Sequence, residues 1–421
     1  GGRYDKQART GARGVCAPDS FVSRILFPAA SHVVELPECP SVRDDICSVM
    51  PDWEVVSAAD TKTATTVLRR DEDGTFQFQS WWSDTPLTKL GRAGATCGAV
   101  ADILQGYLDS RPGVFGFHCG AVQVNGHLLA FTGPYRAGKT TLVSRLGTEP
   151  DCALFCDDIL PIDGDGVATA LGVQPRLRLP LPNGLSGAFK RYVAANLTVS
   201  DNRYGFLDLS NQASLGTRAP LAAMIVLCRQ EGARARFHEL STEDAAGFLI
   251  RQNIADPGDA GSHYDRVAAM AEDLVCLTLV YSDLEDAVSL IREAFGAADI
   301  PRLKAPLGPA LPLRDPDAEA PPADLSLHLV RASDVVTRQI GEDTFLWQMA
   351  DRNFFRLNAI GGAIWTLLEQ QQTGNCIVRA LHDAFPATSE QKIRRDVAML
   401  LGQLIQRGLA AMCPGASPDE M

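Results

Sequence analysis

FHCGAVQVNGHLLAFTGPYRAGKTTLVSRLGTEPDCALFCDDILPID, residues 117–163, is the stretch that decides the fold. An apolar run from Gly126 to Phe131 leads into Gly133-Pro134-Tyr135-Arg136-Ala137-Gly138-Lys139-Thr140. Leu142, Val143 and Leu146 then follow with the spacing of one helix face. Strand, glycine-rich loop and helix in that order predict an α/β fold built around a phosphate loop, or P-loop. The glycines let successive N–H groups turn inward onto phosphate oxygens, and the helix N-terminus adds partial positive charge. Lys139 is placed to reach the outer phosphates and the Thr140 hydroxyl to ligate Mg²⁺. The expected nucleotide-binding residues are Gly133, Ala137, Gly138, Lys139, Thr140 and Thr141, with ATP and Mg²⁺ as ligands.

The second half of the stretch narrows the chemistry. Cys152 to Cys156 predicts a short apolar strand that ends in Asp157-Asp158. Carboxylates at the carboxyl end of a parallel strand lie where open α/β sheets bind ligands. One can hold Mg²⁺ while the other orients and deprotonates an attacking hydroxyl. Further on, Arg176 and Arg178 alternate onto one strand face, where a guanidinium fork could clamp a transferred phosphoryl group. Arg251 closes a helix expected over Ser241–Arg251 and is a third candidate near the nucleotide.

This arrangement resembles the catalytic domain of HPr kinase/phosphorylase and its relatives, serine kinases that use a phosphate loop. The shared pattern is a strand holding His118 (FHCGAV), a strand running into the loop (LLAFTGPYRAGKTTL) and a strand ending in paired aspartates (FCDDIL). The resemblance implies Asp157 as general base, Asp158 as metal ligand beside Thr140, and His118 near the phosphates with Lys139. It spans about Val114 to Phe295 and is strongest through Asp163. The loop interior Pro134-Tyr135-Arg136 departs from the small residues usual there, and the later region tied to phosphorolysis has no match, which favours kinase chemistry. Related kinases assemble as oligomers, so self-association is expected from the resemblance.

Composition sets the frame. The chain has 421 residues, 46% hydrophobic and 21% charged, enough for two or three cores. A net charge of −12 argues against nucleic acid as a main partner. No run of 18 apolar residues suggests a membrane span, and residues 1–20 lack a secretory core, so a cytoplasmic protein with a tag-like, disordered start is expected. The 11 cysteines show no CxxC pair and are expected as reduced, mostly buried thiols, and the 7 histidines form no metal spacing.

Taken in order, residues 21–112 predict a small α/β region. It holds a hairpin over Thr65–Arg70 and Thr75–Trp81, a helix over Ala99–Leu108, and a Trp81-Trp82 pair expected in a core or interface. The kinase-like unit follows over 113–300, with a strand near Val173–Pro180, a doubly buried central strand over Leu221–Cys228, a strand over Leu277–Tyr281 and a helix over Leu284–Phe295. From Pro301 to Pro322 seven prolines predict a semi-rigid linker, 301–323.

Residues 324–415 predict three strands (Ser333–Ile340, Thr344–Met349, Phe354–Leu357) and then three helices (Ala359–Glu369, Cys376–Phe385, Ser389–Arg407), a winged-helix order. Arg394, Arg395 and Arg407 lie on the last helix, without the wider basic patch that DNA would need. The run RLNAIGGAIWTLLE followed by RRDVAMLLGQLIQRGLA, within Asp334–Ala411, resembles the PqqD-like precursor-recognition domain of ribosomal peptide biosynthesis. That resemblance implies a leader peptide added as a strand between the third strand and the last helix, by β-augmentation. Phe354, Phe355, Arg356 and Leu357 would offer the edge. Arg394, Val397, Ala398, Leu401 and Leu404 would offer the wall.

Together the halves imply an ATP-dependent kinase acting on a side-chain hydroxyl, foremost Ser, of a precursor peptide whose leader the C-terminal domain holds, with other maturation enzymes as possible partners. A tethered docking domain raises the local concentration of a weakly bound peptide. The alternatives are a nucleotide-dependent peptide chaperone without transfer, and phosphorylation that only prepares a later elimination.

Overall fold

The computed structural model describes residues 23–59, 62–134, 137–296, 307–311, 320–349 and 353–413. The expectations for Gly1–Ser20 and for Tyr135-Arg136 lie outside these residues.

The N-terminal region is a six-stranded sheet built from Ser23–Phe27, His32–Leu36, Val56–Ser57, Thr66–Arg70, Phe76–Gln79 and Leu87–Leu90. Helices Pro40–Val49 and Arg92–Asp109 belong to the same region, and both bury residues in its core. The second helix begins seven residues earlier than its periodicity predicts. Gly94 and Gly98 make that start look unhelical, yet a Cβ at Gly98 would come within 2.9 Å of the Phe78 ring, so the glycine serves close packing. Trp81 and Trp82 are exposed, not core, and the Trp82 indole N–H donates to Asp102. Trp53 donates to the Leu171 carbonyl at 2.7 Å, which joins this region to the next unit.

That unit is organised on a nine-stranded sheet. Its elements are β1 (Phe115–His118), β2 (Gly120–Val124), β3 (His127–Thr132), α1 (Lys139–Leu146), β4 (Cys152–Cys156), β5 (Ile159–Ile162) and β6 (Val167–Thr169). The short β7 (Arg176–Arg178) belongs to a separate three-stranded sheet. There follow β8 (Arg218–Arg229), β9 (Arg236–Glu239), α2 (Thr242–Arg251), α3 (Ala260–Asp273), β10 (Val275–Tyr281) and α4 (Leu284–Ala294).

The strands run β4-β2-β3-β8-β6-β5-β1, with β10 also paired to β8, and β9 to β10. The central strand β8 pairs in parallel with β3 and β10 through its apolar middle, which is buried on both faces as expected. One expectation needs correcting. Within the sheet β4 has no parallel strand beside it, only an isolated parallel bridge from Leu154 to Gln212; it pairs antiparallel with β2, which pairs antiparallel with β3. Two reversals leave β4 pointing the same way as β3, so the acids still emerge at the end where the glycine-rich loop begins.

The C-terminal region carries β11 (Val335–Ile340), β12 (Asp343–Gln348) and β13 (Asn353–Leu357) as an antiparallel sheet, then α5 (Ala359–Leu367), α6 (Gly374–Ala384) and α7 (Glu390–Gln406). Ser389 caps α7 and Asn358 caps α5. Trp365, Leu368, Leu401 and Leu404 centre its core.

This unit is docked against α2 and α3 as well as joined by its linker. Trp347 packs edge-on against Tyr264 and His263 of α3, and Ile340 and Phe345 join the core beneath α2 and α3. Arg338 pairs with Asp265. Even the described part of the linker is held: Gly308 exchanges backbone hydrogen bonds with Phe237 and Glu239 of β9, and the His238 ring bonds the Pro309 carbonyl at 2.9 Å. Backbone pairing requires no apolar periodicity, so a composition rich in proline and charge gave no sign of it.

The ten described cysteines are free, but only Cys119, Cys152 and Cys156 are fully buried, fewer than expected. None of the described helices is long and apolar enough to cross a membrane.

Candidate functional site

The site forms where β3 and β4 end. Gly138, with φ +89°, is the N-cap of α1, and a Cβ there would stand 3.0 Å from the Tyr281 hydroxyl, so the loop can take this path only with glycine. Lys139, Thr140 and Thr141 follow as the first half-buried residues of α1. At Gly133 a Cβ would approach the Leu227 carbonyl to 3.1 Å, which holds the loop against β8. The Thr132 hydroxyl, just before the loop, is buried with no hydrogen-bond partner among the described residues.

The acids arrive from β4. Register brings His118 into the same place, because β5 pairs antiparallel with β1 and sets His118 opposite Ile159. Nε2 of His118 lies 2.8 Å from Oδ1 of Asp158, and the Cys119 N–H donates to the Asp158 carbonyl at 3.1 Å. Asp157 takes a different partner, accepting the Arg176 backbone N–H at 2.9 Å through Oδ2.

These surroundings separate two adjacent carboxyls. Burial, then the neighbouring charge of Asp158, pushes Asp157 up to about 6. Burial also works against the charge on Asp158, but the His118 hydrogen bond and charge, with Arg176 and Lys139, outweigh it and hold that carboxyl below its ordinary range. Asp158 is 53% exposed at its side chain, so solvent reaches it and the partners decide. Near neutral pH, Asp158 is an anion and Asp157 is poised to exchange a proton.

Arg176 is half-buried, its guanidinium lies 4.6 Å from the Tyr204 ring centroid, and it touches the Cys97 thiol from the N-terminal region. The first hundred residues thus supply a wall behind the acids. Arg178, two residues on, is exposed. Arg251 departs from expectation: its guanidinium stands 5.7 Å from the Phe354 ring centroid, turned to the C-terminal sheet rather than the loop. The carbonyl of the next residue, Gln252, accepts the His118 N–H at 2.7 Å, so the end of α2 links the two places.

Among the described residues no group of three or more His, Cys, Asp or Glu could hold a metal alone. Mg²⁺ typically takes one or two carboxylates plus substrate phosphates. The donor set of Thr140 and an ionised Asp158 beside Lys139 fits that habit.

The second site is a groove of about 430 Å³ between β13 and α7. β13 is the outer strand of its sheet, and Phe355, Arg356 and Leu357 line the cavity as expected. The opposite wall holds at Val397 and needs correction elsewhere. Lys392, Ile393, Asp396, Val397, Leu400 and Gln403 face the groove, whereas Leu401 and Leu404 are fully buried in the core. Arg394 bonds Asn375, and the Ala398 carbonyl accepts from Ala323. α7 has one apolar stripe, and only its edge at Ile393, Val397 and Leu400 borders the groove, a boundary that sequence spacing alone did not mark. Phe354 faces Arg251, while the Arg356 head is bound by Asp244 and Asp343. The exposed Ile360 and Phe385, which line the groove, escaped the sequence reading because they belong to α5 and the end of α6.

Comparison with known proteins bears on this half. The family model of coenzyme PQQ synthesis protein D (PqqD) matches residues 344–410, so a PqqD domain lies at the C-terminal end. Among solved structures, TbiB1 in complex with the TbiA(beta) leader peptide aligns at 25% identity over 21% of this chain and 99% of that one, with a TM-score of 0.19. The Hpr(Ser) kinase/phosphatase from Coxiella burnetii aligns at 12% identity over 42% of this chain and 94% of that one, with a TM-score of 0.22. No curated protein matches the chain.

Proposed function

We propose that this chain is an ATP-dependent kinase that phosphorylates a side-chain hydroxyl, foremost Ser, of a ribosomally made precursor peptide whose leader lies in the C-terminal groove. The observation that carries the reading is the convergence of a glycine-rich loop, Lys139 and two differently partnered acids, Asp157 and Asp158, on a chain that also holds a PqqD domain.

Bound Mg²⁺ would neutralise charge on the phosphates. The loop amides and Lys139 hold the β- and γ-phosphates. Asp157 accepts the proton of the attacking hydroxyl as its oxygen bonds the γ-phosphorus and ADP leaves. His118 keeps Asp158 ionised and oriented. β13 offers its outer backbone edge to the leader, which brings the rest of the peptide to the acids as an intramolecular reactant.

The test is mass spectrometry of candidate precursor peptides incubated with the full chain, ATP and Mg²⁺. A gain of one phosphate supports the reading. Loss of a water in place of that gain would make phosphate a transient leaving group, and ATP-dependent peptide binding without any phosphopeptide would overturn the kinase assignment.

A further inference from the structure

A second cavity, of about 290 Å³, opens on the far side of the glycine-rich loop. Its walls include Gly138 and Thr141 of the loop and α1, Arg229 at the end of β8, and Ser282-Asp283 ahead of α4; Asn183 belongs to the facing loop. None of His118, Asp157 or Asp158 lines it. A triphosphate lying on the loop with its terminal phosphate toward the acids therefore has its other end at this cavity. The volume is at the small end of ligand pockets, suited to one compact group.

Three polar side chains of the cavity already make hydrogen bonds. The Tyr281 hydroxyl donates to the Ala137 carbonyl at 3.1 Å, the Ser282 hydroxyl accepts the Gly232 N–H at 3.1 Å, and the Asp283 carboxylate caps α4 by accepting the Asp286 N–H at 2.9 Å. Asn183 and Arg229 are exposed. The Arg229 guanidinium lies 5.8 Å from the Tyr281 ring centroid, beside the loop: its Cδ is 3.7 Å from where a Cβ on Gly138 would stand. A guanidinium is planar, weakly hydrated and stacks on π faces.

We infer that this cavity takes the nucleoside half of the nucleotide, with the base stacked on Arg229 and its edge left largely unread, so that adenine and guanine triphosphates are accepted alike. The inference rests on the phosphate-binding reading of the loop proposed above. Stacking tolerates any base, since each has a π face. Strong rejection of the wrong base requires buried hydrogen-bonding groups that the wrong base leaves unpaired, and here the buried polar side chain, Tyr281, is committed while Thr141, Ser282, Asp283, Asn183 and Arg229 are half-buried or exposed.

The experiment is calorimetric titration of the full chain, with Mg²⁺, by ATP, GTP and inorganic tripolyphosphate, on the wild type and on Arg229→Ala and Arg229→Lys. Expected are ATP and GTP affinities within about tenfold of each other. Both nucleotides should weaken about fivefold to tenfold in Arg229→Ala, as the loss of one stacking partner implies. Arg229→Lys, which keeps the charge and loses the plane, should be weakened nearly as much, with tripolyphosphate unchanged in both variants. The inference is overturned if the variants bind ATP normally, if tripolyphosphate falls in step with ATP, or if the wild type prefers one base more than a hundredfold. A wild type that binds neither tripolyphosphate nor nucleotide would sink the phosphate-loop reading itself, an outcome distinct from the other three.

Discussion

Arg356 of β13 and Asp244 of α2 meet at 2.6 Å, and the same guanidinium bonds Asp343 at 2.6 Å. One side chain on the groove strand thus locks that strand to the helix whose far end bonds His118. Arg356→Ala would leave two half-buried carboxylates without their cation and should cost about 1–3 kcal/mol of docking. Limited proteolysis near the docked residues 307–311 should become faster than in the wild type.

Asp157→Asn would remove the proposed proton acceptor without changing shape. Phosphopeptide formation should drop by about 10²–10⁴-fold with nucleotide affinity nearly intact, measured by single-turnover transfer alongside calorimetry. Transfer at close to the wild-type rate would show that Asp157 is not the base.

His118→Ala leaves Asp158 without its 2.8 Å partner. Outer partners of a metal ligand typically tune affinity by about 10–100-fold. The Mg²⁺ concentration for half-maximal activity should therefore rise by about tenfold, with the maximal rate at saturating Mg²⁺ less affected. An unchanged Mg²⁺ curve would mean that Asp158 does not hold the ion.

Burial holds His263 and His32 neutral, each down to about 4, with the Arg266 charge adding to the effect on His263. Between pH 6.5 and about 4 the unfolded chain therefore binds more protons than the folded one, and stability is lost as pH falls through that window. The full loss is on the order of 3 kcal/mol per histidine. His263 stacks on Phe115 and abuts Trp347, so acid should also loosen the docked C-terminal unit. Urea midpoints at pH 7 and pH 5 should differ less in His263→Phe than in the wild type.

Phe385, 47% exposed, lines the groove opposite β13. Phe385→Asp should weaken leader binding by at least about tenfold while leaving the fold and the nucleotide affinity unchanged, since it removes apolar surface from a peptide site and nothing from a core. Fluorescence anisotropy with a labelled leader peptide reads this directly.

The sequence was most legible where chemistry is local. A turn that demands glycine, a cap on a helix or an apolar strand running into two acids is written in neighbouring residues, and β3, α1 and β4 lie where the pattern puts them. It was least legible where partners are distant. Nothing near Arg251 says that it will meet Phe354, a hundred residues on, and nothing near Cys97 says that it will touch Arg176. α3 escaped notice altogether: its buried face mixes alanines and one valine with two polar aromatics, Ala260, His263, Tyr264, Val267 and Ala271, and acquires its meaning from Trp347 and Phe345. The groove wall on α7 was read only in part for a related reason, since a single apolar stripe does not declare where its covered centre gives way to an open edge.

The pairing of Gly308 with β9 has a practical outcome for anyone dividing this protein. β9 bonds β10 along one side and takes the linker along the other. A fragment ending before residue 307 would bare the Phe237 carbonyl and the Glu239 amide on the outer edge of β9, a place where a foreign strand can pair, so the isolated fragment should clump more readily in solution than the intact chain.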